Sequence, residues 1–189
     1  MGMTKEEFRE YIFREDPVPE MTPEEAFQKG MEGDLSGYDA AGRACARAIY
    51  KYLKENPDVL KKIIALYKGW DEIKKKEWKS EKDLQKATRE LYGSLNIPYI
   101  KDYGDWKYDR TAIYGHGIDH SLHNFEQDIV GAAVDLIDES HPIIKKALKE
   151  IGPTGFMWAW ALNAAIYLLE DEMERGQLPL PNGRGLHQE

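Results

Sequence analysis

The most informative segment of the chain is Phe156-Met157-Trp158-Ala159-Trp160-Ala161-Leu162-Asn163-Ala164-Ala165-Ile166-Tyr167-Leu168-Leu169. A helix drawn through it is apolar on every side, which is typical of a helix buried all round. It does not predict a membrane span, because the apolar run is shorter than the ~20 residues that a bilayer needs and Asn163 interrupts it. We therefore predict a central core helix over 154–175, with the Asn163 amide buried and hydrogen-bonded to a neighbouring helix.

The rest of the chain carries clear helix-start signals. Thr4 and Thr22 each precede a glutamate three residues later, as in a capping box, and Pro23 follows Thr22 at the first helical position. Asn56-Pro57 and Ser80 mark two further starts. With the hydrophobic periodicity, these signals predict helices over 4–15, 22–32, 37–55, 57–77, 81–95, 118–139, 142–151 and 154–175.

No segment shows the sustained two-residue alternation of a strand. Ile97-Pro98-Tyr99-Ile100 is the one short candidate, and its proline argues against it. We predict an all-α fold: a single-domain helical bundle of seven to eight helices around the buried C-terminal helix. The domain covers 1–189, with an N-terminal helical arm over 1–33 and an extended tail over 176–189. The small residues of 37–46 predict a close approach between two helices, and Cys45 among them is expected to be buried.

Composition narrows the functional classes. The chain has 189 residues and a formal net charge of −8, so a nucleic-acid-binding role is unfavoured, because coating a phosphate backbone needs a dominant basic field. No basic start is followed by an apolar run, which favours a cytoplasmic protein with no membrane association. Many Lys and Glu with few Asn, Gln and Cys suit a thermophile. The acidic charge and the tryptophans leave a homo-oligomer open.

Three of the five histidines fall in Tyr114-Gly115-His116-Gly117-Ile118-Asp119-His120-Ser121-Leu122-His123-Asn124-Phe125-Glu126. On one continuous helix His116, His120 and His123 would share a face, with the apolar residues opposite. Spacing of four and three places imidazoles one turn apart, as helices present ligands to one metal ion. This pattern predicts a divalent metal bound by the three histidines and Asp119.

The same cluster suggests a reaction. A metal lowers the pKa of its bound water, and Glu126, one turn beyond His123, would be the general base acting on that water. Surface histidines paired with carboxylates are the alternative interpretation. The glycines at 115 and 117 disfavour a helix at these positions. If the helix begins after them, His116 lies in the loop before it. Further along, Asp128, Asp135 and Asp138 are interpreted as an acidic, solvated helix end, with Ser140 capping the next helix.

Aromatic residues precede the histidines, in the longest stretch without helix signals. Tyr103, Trp106, Tyr108 and Tyr114 alternate there with charged residues, and long loops in compact domains are often functional. We predict that these rings wall a small-molecule substrate site; a loop simply packed on the bundle is the alternative. Two functions follow: a metal-dependent hydrolase at 116–126, or a non-catalytic helical module for protein interaction or oligomerisation.

Overall fold

The computed structural model describes residues 2–18, 22–152 and 156–178. Helices dominate these residues, which confirms the all-α class. Within the described ranges there are eight helices: α1 (Lys5–Phe13), α2 (Pro23–Met31), α3 (Ser36–Glu55), α4 (Pro57–Lys75), α5 (Glu81–Ser94), α6 (Ile118–Asp135), α7 (Pro142–Ile151) and α8 (Trp158–Glu174). The single-domain prediction with its arm over 1–33 stays a prediction, and most of the predicted tail, 179–189, lies outside the described residues.

The helix starts follow the predicted caps. The Thr4 hydroxyl accepts from the Glu7 backbone N–H at 3.1 Å, and the Glu7 carboxylate accepts from the Thr4 N–H at 3.2 Å, so α1 begins with a complete capping box. The Thr22 hydroxyl caps α2 in the same way. The cap of α7 is different from the prediction: His141 Nδ1 accepts from the Ile143 N–H, while the Ser140 hydroxyl donates to Asp138.

One short antiparallel hairpin departs from the prediction that no sheet forms. Strand β1 (Ile100–Asp102) pairs with β2 (Lys107–Asp109), with Lys101 opposite Tyr108. The intervening turn has Gly104 at φ 83°, a left-handed conformation that glycine adopts without strain. Strands of three residues are too short to display an alternating pattern, so the sequence signal is the turn glycine alone.

The chain folds into two compact units. Unit 1 is Met1–Pro57 with Asp138–Glu189, and unit 2 is Asp58–Ile137. In unit 1, α3 packs on α7 and α8, and α1 packs on α3 and α8. Cys45 of α3 is buried, as predicted. The close helix approach predicted over 37–46 is also present, because a Cβ on Gly42 would stand 2.5 Å from Cε of Met157.

Helix α8 is the core helix of unit 1, but the prediction that it is buried on every side is wrong. Trp160 and Tyr167 are 42% and 43% exposed. Asn163 lies between them and is exposed as well, so the prediction that its amide is buried is wrong. The reason is that α3 and α1 are the helices that pack on α8 within the described part of unit 1. The side of α8 that carries Trp160, Asn163 and Tyr167 is exposed to solvent.

Unit 2 contains α4, α5, the hairpin and α6, with Leu66, Leu84 and Phe125 fully buried. Helix α6 begins at Ile118, after Gly117 with φ 104°. The helix therefore starts beyond His116, and the shared helical face predicted for three histidines holds for His120 and His123 alone. At its other end α6 stops at Asp135, so Asp138 is outside it.

Candidate ligand-binding site

The histidines lie on the surface of unit 2. The rings of His116 and His120 are in contact, with centroids 4.9 Å apart, and His123 Nε2 lies 3.1 Å from the Gln127 amide nitrogen. All three side chains are exposed, and so is Asp119. Within 2–18, 22–152 and 156–178, no three His, Cys, Asp or Glu side chains come close enough together to hold a metal ion. The structure thus brings together two of the four predicted ligands.

The predicted general base, Glu126, has a different partner. Its Oε1 accepts a hydrogen bond from Nζ of Lys74 on α4 at 3.0 Å. This ion pair lowers the pKa of the Glu126 carboxyl, against the smaller opposing effect of burial. A lower pKa makes the carboxylate a weaker base. The assignment of Glu126 as a base stays a prediction with no support from its contacts.

The loop before α6 is shaped by glycines and by Glu81 at the start of α5. Gly115 and Gly117 have φ of 74° and 104°, which L side chains rarely adopt. Oε1 of Glu81 accepts from the Gly117 N–H at 3.1 Å, and Oε2 accepts from the hydroxyl of the buried Ser121 at 3.2 Å. The Glu81 carboxylate therefore accepts hydrogen bonds at the N-terminus of α6, where the helix dipole favours negative charge.

A pocket of about 360 Å³ lies between β2 with the loop after it and one face of α6. Residues 124, 127, 128 and 131 of α6 share that face because they are spaced three and four apart. The pocket is lined by Tyr108, Asp109, Arg110, Ala112, Tyr114, Asn124, Gln127, Asp128 and Gly131. Two of the four predicted substrate-binding residues, Tyr108 and Tyr114, are among them.

A buried ion pair forms the base of this site. Arg110 and Asp128 have side chains that are 5% and 9% exposed, and Nη1 of Arg110 donates to Oδ2 of Asp128 at 3.2 Å. Arg110 Nη2 donates to Asp135, which also accepts from Lys101 Nζ at 2.9 Å. The interpretation of a solvated acidic helix end is therefore wrong for Asp128, whereas Asp135 is 38% exposed at the last residue of α6. Both carboxylates accept hydrogen bonds from the buried guanidinium of Arg110, which directly follows β2.

The hydrogen bonds of Asp128 are unevenly divided between its two oxygens. Oδ2 accepts from the Tyr92 hydroxyl at 2.7 Å as well as from Arg110. Oδ1 accepts no hydrogen bond from any residue that the structure describes, and it lies 4.0 Å from the point where a Cβ on Gly131 would stand. Since Gly131 lines the pocket and has no side chain, it leaves this oxygen uncovered. Burial raises the pKa of Asp128, although Tyr92 and Arg110 oppose that effect.

Asp109, the second carboxylate of the pocket, is already satisfied. Its Oδ1 accepts from the backbone N–H and the hydroxyl of Thr111, at 2.8 and 2.9 Å, and its Oδ2 accepts from Arg89 Nη2 at 2.7 Å. These bonds hold the end of β2 against α5. Asp109 therefore shapes the pocket, and Asp128 is the carboxylate with an acceptor to offer to a ligand.

The other two predicted substrate-binding residues lie at the end of the hairpin. Tyr103 and Trp106 stack on each other, with ring centroids 4.9 Å apart and planes 23° apart, and are 53% and 58% exposed. The Trp106 ring is 6.0 Å from that of Tyr108. Tyr108 thus lines the pocket and also lies next to the stacked rings at the end of the hairpin.

Comparison with known proteins adds no relative. No protein family, no curated protein and no solved structure matches this chain. The functional argument rests on the geometry of the described residues.

Sequence reasoning missed the residues on which the pocket depends. Arg110 was one charge among many in the aromatic loop, and Asp128 was assigned to solvent. The available signal was a stripe on α6 at 124, 127, 128, 131 and 135, which holds polar residues and glycine at helical spacing. A polar stripe is usually a solvated face, and only the position of the hairpin shows that the Asp128 side chain within this stripe is largely buried.

Proposed function

We propose that this protein binds a small, donor-rich polar molecule in the pocket between β2 and α6. The observation that carries the proposal is Oδ1 of Asp128, an uncovered oxygen of a largely buried carboxylate that faces Gly131. The Asp128 side chain is 9% exposed, and a charged acceptor in such a largely buried group forms stronger hydrogen bonds than one in bulk water. A ligand hydroxyl or amino group in the pocket could donate to this oxygen.

The charge of the lining disfavours anionic ligands. The pocket contains two carboxylates and one guanidinium, so its formal charge is −1. Nη1 and Nη2 of Arg110 are already bound to Asp128 and Asp135, and these carboxylates compensate the charge that would attract a phosphate or carboxylate ligand. The lining therefore favours an uncharged or cationic ligand.

The remaining lining groups fit a ring with several polar substituents. The amides of Asn124 and Gln127 each carry both donors and an acceptor, and the Tyr108 and Tyr114 rings supply apolar faces. Pockets of a few hundred Å³ with a few converging polar groups are typical of small-molecule sites. This is the arrangement expected for the predicted small-molecule substrate.

The test is thermal unfolding of the full chain with a panel of monosaccharides, nucleosides and aliphatic amines. A ligand that binds the folded state raises the melting temperature, by several degrees at saturation. Gly131→Leu, which fills the pocket, should abolish the shift, and Asp128→Asn should weaken it. Gly93→Leu is the matched control, because it is a helical glycine of the same unit with nothing within 4 Å of its Cβ position. If no panel member gives a shift that Gly131→Leu removes, the proposal is wrong.

Metal binding is a second proposal, favoured by the contact between the His116 and His120 rings. Two imidazoles this close can share one divalent ion, with Asp119 or water completing the coordination. In the form that predicts a hydrolase, His123 is a further ligand and Glu126 the base. Zn²⁺ or Ni²⁺ should then raise the melting temperature of untagged protein, and His120→Ala should remove the effect. An unchanged melting temperature with either ion would count against it.

Self-association is the non-catalytic alternative, favoured by the surface of α2. Phe27 and Met31 are one turn apart on α2 and are 65% and 72% exposed, and Leu35, which precedes α3, is 59% exposed. Glu25 in the first turn and Lys29 in the last would face their opposites if two copies of α2 paired antiparallel. Sedimentation of the full chain should show a dimer that Phe27→Ser weakens. A monomer at every concentration would contradict it.

Among the described residues, no helix is long and apolar enough to cross a membrane. A cytoplasmic location and a thermophilic source remain proposals from composition.

A further inference from the structure

We propose that the ligand is an oligosaccharide, with one sugar ring in the pocket and the following rings along the aromatic residues of the hairpin. The inference rests on the proposed function, because the pocket holds the first ring. It goes further by naming the ligand class and by assigning a role to Tyr103 and Trp106, which the pocket does not use. We call Tyr103, Trp106 and Tyr108 the aromatic row.

The aromatic row leads away from the pocket in unbroken contact. Tyr108 lines the pocket, its ring is 6.0 Å from that of Trp106, and Trp106 stacks on Tyr103 at 4.9 Å. Large rings that are more than half exposed lose hydrophobic stabilisation unless a ligand covers them. A chain molecule that leaves the pocket past Tyr108 would meet them in order.

The row is held in a fixed position relative to the pocket. Lys101 of β1 bonds Asp135 of α6 at 2.9 Å, and Arg110, just after β2, bonds Asp128 and Asp135. The Lys101 ammonium also lies 5.2 Å from the centre of the Tyr103 ring. Both strands of the hairpin are therefore tied to the helix that forms the pocket, and a preorganised surface loses less entropy on binding.

The chemistry of both parts matches a sugar chain. A sugar ring has a face of C–H groups that stacks on tyrosine and tryptophan, and its rim of hydroxyls supplies donors for Asp128 and partners for the Asn124 and Gln127 amides. A neutral sugar is uncharged, which is one of the two charge states that the lining favours. Repeating units explain why aromatic rings continue beyond a pocket that has room for one small molecule.

Charge argues against the other chain molecule that stacks on aromatic rows, a single-stranded nucleic acid. Such sites combine aromatic rings with a basic groove that follows the phosphates. Here Asp102, Asp105 and Asp109 outnumber Lys101 and Lys107 along the hairpin, and the whole chain has a net charge of −8. The hairpin therefore lacks the field that phosphates need.

The experiment is calorimetric titration of the full chain with paired probes. Each pair is a monosaccharide and its linear hexamer: glucose with cellohexaose and maltohexaose, N-acetylglucosamine with chitohexaose, xylose with xylohexaose and mannose with mannohexaose. Hexathymidylate is the nucleic-acid probe. We expect at least one hexasaccharide to bind 10-fold or more tightly than its monosaccharide.

The variants separate the row from the pocket. Trp106→Ala should remove most of the gain in affinity of the hexasaccharide and leave monosaccharide affinity unchanged, and Tyr103→Ala should remove part of it. Both residues are exposed, so the fold should survive. Trp160→Ala, which removes an exposed tryptophan of unit 1, is the matched control. It should leave the affinities for the hexasaccharide and the monosaccharide unchanged.

The inference and the proposed function fail in different ways. A monosaccharide that binds in the pocket with no gain from the hexamer, or a gain that Trp106→Ala leaves intact, overturns the aromatic row and keeps the pocket. Amines or nucleosides that bind with no saccharide binding overturn the ligand class alone. Tight binding of hexathymidylate overturns the inference in favour of nucleic acid. No binding by any small probe overturns both.

Discussion

The Arg110–Asp128 pair is the residue contact on which the pocket depends most directly. Both side chains are more than nine-tenths buried, so removing the cation leaves a carboxylate without its partner in a poorly solvated place. We expect Arg110→Met to lower the free energy of unfolding by about 3 kcal/mol, measured by urea denaturation. Lys74→Met is the control, because the Lys74–Glu126 pair is about half exposed and should contribute less than about 1 kcal/mol. Equal effects of the two variants would contradict this assignment.

The pH dependence of stability provides a second test of Asp128. Burial raises its pKa in the folded state, so between the unfolded and folded pKa values the folded chain binds more protons than the unfolded chain. Its contribution to stability is therefore greatest at low pH and decreases as the pH rises through that interval, the reverse of a salt-bridged surface carboxylate.

The measurement is the difference in unfolding free energy between the wild type and Asp128→Asn across the acid range. Carboxylates with lowered pKa, such as Glu126, titrate in both proteins and cancel in the difference. The unfolding free energy of the wild type minus that of Asp128→Asn should decrease as the pH rises from below the ordinary aspartate pKa, and should then become constant. A difference that grows with pH would show that Arg110 and Tyr92 outweigh burial.

Residue types and spacing identified aromatic members of the pocket but not its charged base. Tyr108 and Tyr114 were found because aromatic residues in a long loop favour a binding surface. Arg110 and Asp128 were missed because a buried ion pair depends on where the hairpin meets α6, eighteen residues along the chain, and no local pattern encodes that contact. The histidines were conspicuous in sequence, but the three rings do not form one cluster. The rings of His116 and His120 are in contact, whereas His123 lies against Gln127.

Helix positions were predictable because caps and periodicity are local. Thr4, Thr22 and Ser80 each accept a hydrogen bond from the first turn of a helix, as their sequence context indicates. The hairpin and the exposed side of α8 were not predictable in the same way. Strands of three residues show no period, and the exposure of a helix depends on how many neighbours pack against it.

Two helical glycines should respond in opposite directions to a larger side chain. Gly131 of α6 has open space around its Cβ position, so Gly131→Ala should stabilise the protein by about 0.5–1 kcal/mol through helix propensity. At Gly42 of α3 a Cβ would stand 2.5 Å from Met157 Cε and 3.3 Å from a Trp160 ring carbon. Gly42→Leu should therefore cost about 1–3 kcal/mol by overpacking.

The measurement is the shift of the melting temperature for each variant, checked by circular dichroism for unchanged helix content. A stabilised Gly42→Leu would show that α3 and α8 do not approach closely at this position. A destabilised Gly131→Ala would show that the floor of the pocket is filled, which would also weaken the argument for Asp128 Oδ1.

In the molecule as a whole, all the groups of the proposed site belong to unit 2, which is one continuous segment of the chain. Unit 1 is formed from both ends of the chain and has its own buried charge network. There Glu172, 5% exposed, accepts from Nη2 of Arg9 at 3.1 Å, from Nζ of Lys54 at 3.2 Å and from the Tyr50 hydroxyl. Composition and length gave no sign of this division, because both units are helical and neither linker has a distinct composition.

The division predicts that each unit opens as its own cooperative unit in native-state hydrogen exchange of the full chain. Arg110→Met removes a buried partner in unit 2 and should lower the protection of amides in α5 and α6, while those of α3 and α8 keep theirs. Glu172→Gln keeps the shape of the side chain but removes the charge that holds Arg9 and Lys54, so it should lower protection in α3 and α8 and spare α5 and α6. Each variant is the control for the other. If either substitution lowers protection equally across all four helices, the chain unfolds as one unit, and the effect of Arg110 on the pocket must be measured against the stability of the entire molecule.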